Sequence, residues 1–73
     1  MNLISVNNGN TYHNPADIPD EIALHWDSII AAMDGDIMES VNCATDADTD
    51  TTEGKVQYLM EYLAEAGEDM VIG

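Results

Sequence analysis

The sequence predicts an α+β domain: a three-stranded antiparallel sheet, built from an N-terminal hairpin and a C-terminal strand, with two or three amphipathic helices on one face. Three observations carry that expectation. Short β-rich runs stand near both ends ("LISV" and "MVI"), apolar residues in the long middle recur at the helical period, and Gly, Asn, Asp and Pro cluster at the joints. Seventy-three residues make a single domain, 1–73, which buries only about 60% of the surface of its unfolded chain and so has a thin core.

The runs "LISV" and "TYHN" flank the turn cluster "NNGN", whose Asn-Gly pair favours a hairpin. Asn14 and Pro15 end the second run, because proline offers no donor to a strand ladder and restricts the residue before it. From Asp17 the period changes: Ile18, Ile22, Trp26, Ile29, Ile30 and Met33 are spaced by three and four, one face of a helix. Asp17 is its candidate N-cap, Pro19 fits the first turn, and Asp20 and Glu21 meet the positive end of the helix dipole.

Gly35 weakens or breaks that helix, costing roughly 1 kcal/mol against Ala, and Ile37, Met38 and Val41 predict a second short helix over about residues 36–44. Beyond the loop "TDADTDTTEG", Val56, Leu59, Tyr62, Leu63 and Ala66 form the stripe of a further amphipathic helix, opposite Gln57, Glu61, Glu65 and Glu68. Asp50 and Glu53 have capping-box spacing, and Gly67 is placed to stop the helix. Met70, Val71 and Ile72 then predict a strand that pairs with the hairpin.

The charge is the unusual property. Fifteen Asp and Glu face one basic side chain, Lys55, with no arginine, for a net charge of -14. Such a field destabilises the compact state, attracts basic partners, and repels nucleic acid and anionic membranes. Direct nucleic-acid binding is therefore excluded as the expected function. No apolar run approaches the ~20 residues of a membrane helix, the opening "MNLISVNNG" has no signal-peptide pattern, and the lone Cys43 cannot form an intramolecular disulfide. A cytoplasmic protein with a buried thiol at Cys43 is expected.

The stretch "DADTDTTEGKVQ" invites a calcium reading, with Asp46, Asp48 and Asp50 at EF-hand positions 1, 3 and 5. Yet Thr51 stands where the loop needs glycine, and Gln57 where it needs a bidentate glutamate. A calcium-responsive binding module using this loop is thus the alternative, and a solvated acidic linker the principal reading. No metal or other cofactor is expected.

Nothing in the sequence points to an enzyme. Asp34 and Asp36 are a carboxylate pair without an apolar pocket or a cation beside them. His13 and His25 lack metal-ligand spacing, and no local pattern joins either to Cys43 as a nucleophile pair. Among the aromatic residues, Trp26 is expected in the core, and one of Tyr58 and Tyr62 is expected to point outward as a partner anchor.

Carboxylates one helical turn apart stand ~5–6 Å from each other, a spacing comparable to that of nucleic-acid phosphates. Asp20, Asp27 and Asp34 recur every seven residues, Glu61, Glu65 and Glu68 form a second row, and Asp46, Asp48 and Asp50 extend the negative surface. With Glu21, Asp36 and Glu39, these acids (Glu68 aside) are the expected partner-binding residues. The near absence of Lys and Arg exceeds what solubility needs, since ordinary surfaces mix both signs.

In size, acidity and carboxylate rows at Asp20, Asp27, Asp34, Glu61 and Glu65, the chain resembles the small acidic inhibitors of host defence carried by phages and other mobile elements, including anti-CRISPR and anti-restriction proteins. The resemblance implies a nucleic-acid mimic that occupies the basic channel of a CRISPR effector complex, or of another nucleic-acid-binding protein, in the host cytoplasm. An acidic adaptor or antitoxin that neutralises a basic partner shares the same electrostatics. Oligomeric state is left open, since a thin core favours dimerisation and the charge opposes it.

Overall fold

The computed structural model describes residues 2–7 and 9–72. In chain order these form strand β1 (Ile4–Val6), a 3-10 turn (Pro15–Asp17), helices α1 (Pro19–Leu24), α2 (Trp26–Ala32), α3 (Gly35–Ala44) and α4 (Thr52–Ala66), and strand β2 (Met70–Ile72). The class is α+β, but the predicted three-stranded antiparallel sheet is not what forms. The sheet has two strands, β1 and β2, and they run parallel, with Ile4, Ser5 and Val6 opposite Met70, Val71 and Ile72.

The physical reason lies in the connection. Antiparallel neighbours can be joined by a tight turn, whereas parallel ones need a crossover of a dozen or more residues, and here the helices between β1 and β2 supply it. The expected hairpin shrinks to a bridge between Ile4 and His13, which exchange two backbone hydrogen bonds of 2.9 and 2.7 Å. Asn8 of the Asn-Gly pair lies outside the described residues. Before it, Asn7 takes the left-handed conformation at φ 75° and donates its N–H to the Ile72 carbonyl at 2.7 Å, so it serves the parallel pairing.

The long first helix is two. His25 interrupts the run between α1 and α2, and Met33 and Asp34 turn extended before α3. Asp17 does not cap α1; it ends a 3-10 turn that Asn14 caps by accepting the Ala16 N–H at 3.0 Å. Pro19 and the acids Asp20 and Glu21 occupy the first turn of α1 as expected.

Helix α4 is the centre of the packing, with α1, α3 and the 3-10 turn against it. Ile4, Ile22, Ile29 and Leu59 are fully buried, and Leu63, Tyr58, Tyr62, Val41, Val56, Met33, Met70 and Ile72 complete the core. Full burial of such a side chain contributes about 1.5–3 kcal/mol. Trp26 packs edge-on to Tyr58, ring centroids 6.1 Å apart, a geometry worth about 0.5–1.5 kcal/mol beyond the area buried.

Both tyrosines of α4 face inward, contrary to the expectation that one points out. Their hydroxyls explain how a polar end is accommodated there. Tyr58 donates to Asn42 Oδ1 at 2.7 Å, and Tyr62 accepts the Asp34 N–H at 2.7 Å. Burial, then the neighbouring Tyr62, raises the Tyr58 pKa above its ordinary value. At the end of α4, Gly67 adopts φ 72° and its N–H reaches the Leu63 carbonyl at 3.0 Å, the left-handed stop that glycine adopts without a Cβ penalty.

Despite the charge, the Cα radius of gyration is 11.0 Å, matching the ~11 Å expected of a folded chain of this length. No helix among the described residues is long and apolar enough to cross a membrane.

Candidate functional site

Fourteen of the fifteen carboxylates are exposed, and only Glu61 is half-buried. Among the described residues the one contact at ion-pair distance joins His25 Nε2 and Glu21 Oε2, 3.6 Å apart at the end of α1, and it is an ion pair only when the imidazole is protonated. The long axis of the molecule is 32 Å. A nucleic-acid duplex of that length carries roughly 19 charges at one per ~1.7 Å, so the fifteen acids give this body a charge density of the same order.

The candidate acids divide by element. Asp20 and Glu21 lie in the first turn of α1, and Asp27 in that of α2. The proposed seven-residue row Asp20, Asp27, Asp34 therefore does not share one helix, because the chain breaks at His25 and again before α3. Asp34 is the N-cap of α3: its carboxylate accepts the N–H groups of Asp36 and Ile37 at 2.9 and 3.4 Å. Asp36 and Glu39 stand exposed on α3. Negative side chains in first turns are stabilised by the helix dipole, so Asp20, Glu21, Asp27 and Asp36 also serve the fold.

The loop acids are organised by α4. Asp48 Oδ1 accepts the Asp50 N–H at 3.0 Å, and the Asp48 carbonyl accepts both the N–H and the hydroxyl of Thr51, at 3.1 and 2.9 Å. The cap of α4 is Thr51, whose Oγ1 accepts the Gly54 N–H at 2.9 Å, and not the expected Asp50 and Glu53 box. A β-carbon on Gly54 would lie 1.6 Å from the Asp48 carbonyl oxygen, so loop and helix backbone meet there. Asp46, Asp48 and Asp50 remain exposed at the end of this turn. Among the described residues no three His, Cys, Asp or Glu side chains come together in a way that could hold a metal ion.

The last two candidates, Glu61 and Glu65, lie one turn apart on α4, and the packing of α3 sets a hydroxyl against each. The Thr45 hydroxyl donates to Glu61 Oε2, and Ser40 Oγ donates to Glu65 Oε1 at 3.4 Å. Thr45 Oγ1 also accepts the Ala47 N–H at 3.1 Å, tying Glu61 to the start of the acidic loop. Between the two helices runs an open groove of about 280 Å³, with Val41, Ala44 and Ala64 along it. Two further concavities, beside Pro15 and Met60 and beside Glu68 and Val71, are about 110 and 200 Å³; all three fall short of the ~300–1,000 Å³ of small-molecule sites.

Cys43 is exposed on α3, against the expectation of a buried thiol. Sequence reasoning also passed over Ser40 and Thr45, whose hydroxyls orient Glu65 and Glu61, and the packing of Gly54 against Asp48. Hydroxyl and amide partners carry no periodicity, so only Gly54, an odd choice inside a helical first turn, offered a signal. Comparison with protein-family models, curated proteins and solved structures gives no match.

Proposed function

We propose that this chain is a nucleic-acid mimic: a small acidic inhibitor that occupies the basic nucleic-acid channel of a host protein and keeps DNA or RNA out. The observation that supports it best is the exposure of fourteen carboxylates on a body 32 Å long, with a single internal ion pair among the described residues. Unneutralised charge at that density complements the lysines and arginines a nucleic-acid-binding protein uses for phosphates. Inhibition is by occupancy, without catalysis, in the cytoplasm of the host cell.

The resemblance in size and charge to phage-borne inhibitors directs the choice of target to a CRISPR effector complex or a restriction enzyme. Helix dipoles account for some of the acids, but not for the exclusion of all but one basic residue from the whole surface. The test is to capture host proteins on the immobilised chain, and to repeat it with Asp20, Asp27, Glu39 and Glu65 each changed to Lys. These four are exposed and none caps a helix. Capture of a nucleic-acid-binding complex that weakens with each reversal supports the reading; capture indifferent to all four overturns it.

A further inference from the structure

Resting on the mimic reading, we infer that the groove between α3 and α4 is a receptor for an arginine side chain of the partner. Its six lining residues are Ser40, Val41 and Ala44 from α3, and Glu61, Ala64 and Glu65 from α4. The two alanines are what leave the groove open, since longer side chains at these positions would fill the space between the helices. Val41 is buried in the core beneath it, so the groove has an apolar side that no charged group of the chain covers.

Glu61 and Glu65 stand one helical turn apart on α4, a Cβ separation of ~5–6 Å. Each carboxylate takes a neutral hydroxyl hydrogen bond from the α3 side, Thr45 to Glu61 and Ser40 to Glu65. A hydroxyl orients a carboxylate without cancelling its charge, and an ionised carboxylate has about four acceptor positions, so both keep capacity for another donor. No basic residue lines the groove.

An apolar channel with two oriented negative groups complements one kind of side chain, an aliphatic stem ending in a cation. Arginine fits it better than lysine. Its planar guanidinium presents five N–H donors in a fork that can engage two carboxylates together, and it gives up hydration more readily than an ammonium. An exposed row of carboxylates attracts any cation, but the alanine-lined space between the helices admits a side chain. Glu68 and Asp69 also line a concavity, but a smaller one of about 200 Å³, and Glu61 and Glu65 differ from them in being oriented by hydroxyls across the larger groove.

The probe is acetyl-arginine amide, titrated into the isotopically labelled full chain while amide NMR shifts are followed, with acetyl-norleucine amide as the uncharged control. Shifts should concentrate on residues 40–45 and 61–65 with the arginine probe and be absent with norleucine. Ala64→Leu keeps every charge and substitutes a good helix former at an exposed position; it should lose the localised response. Should that variant melt early, Ala44→Leu fills the groove from the opposite wall and should have the same effect. Shifts spread evenly over all the acidic helices, or an unchanged response in the filled variants, would overturn the assignment. Glu39→Lys changes an exposed acid outside both the first turn of α3 and the groove lining, so its effect on capture bears on the mimic reading alone, whereas the arginine response of the filled variants bears on the groove alone.

Discussion

Gly54 sits with its Cα directly against the backbone of Asp48, so close that a β-carbon would come within 1.6 Å of the Asp48 carbonyl oxygen. This contact fixes the acidic loop on the first turn of α4, and it explains why a glycine stands where a helix former would otherwise be favoured. Because the clash is with backbone, it cannot be relieved by a rotamer change. Gly54→Ala should cost about 1–3 kcal/mol or more and lower the melting temperature by about 4–8 °C for each kcal/mol. Gly35→Ala is the control: nothing lies within 4 Å of its β-carbon position, and it should be neutral or stabilise by about 0.4–1 kcal/mol. Circular dichroism melts of the two variants decide the point, and equal melting temperatures would contradict it.

Tyr62 anchors the start of α3 through the Asp34 N–H. Removing its hydroxyl in Tyr62→Phe should cost about 0.5–1.5 kcal/mol, with Asp34 losing amide-exchange protection ahead of its neighbours. A general rise in exchange across all helices, without emphasis at Asp34, would show that the hydrogen bond has no local role.

Alkaline unfolding follows from Tyr58. Its folded pKa is raised above the unfolded value, chiefly by burial, so the native state holds its proton more tightly. The contribution to stability is complete below about pH 10, the unfolded tyrosine value, and is lost as pH rises through the folded pKa. Denaturant titrations should therefore show stability declining above that pH. In Tyr58→Phe the decline should be shallower, although the variant starts lower for want of the bond to Asn42. Parallel pH profiles of the two proteins would refute the assignment.

Salt should stabilise this protein. With a net charge of -14 and one internal ion pair among the described residues, screening removes repulsion and forfeits little attraction. The Debye length falls from about 10 Å at 0.1 M to about 3 Å at 1 M salt, so melting temperature in sodium chloride should rise over that range. A fall would mean that specific ion pairs outweigh the collective repulsion.

The helices were legible in the sequence because burial imposes periodicity: Val56, Leu59, Tyr62 and Leu63 are all buried, and Gly67 stops α4 as expected. What was not legible is relational. Strand direction is not encoded in "LISV" or "MVI", whose local pattern is the same in either orientation, and the parallel pairing depends on where four helices carry the chain. The break at His25 leaves no glycine or proline to mark it. The expectation that one of Tyr58 and Tyr62 points outward fails because the groups that satisfy their hydroxyls, Asn42 and the Asp34 N–H, lie outside α4. The acidic surface was visible as composition, whereas its division into capping residues, such as Asp34, and groove residues, such as Glu61 and Glu65, required the packing of α3 on α4.

Direct competition with nucleic acid tests the proposed mimicry most plainly. The host complex captured on the immobilised chain at about 50 mM salt, where charge-mediated association is strong, is challenged with its own guide or target nucleic acid. Mimicry requires that nucleic acid displace the complex, and that excess free chain block nucleic-acid binding in the converse assay. Simultaneous binding of chain and nucleic acid, with neither displacing the other, would contradict it.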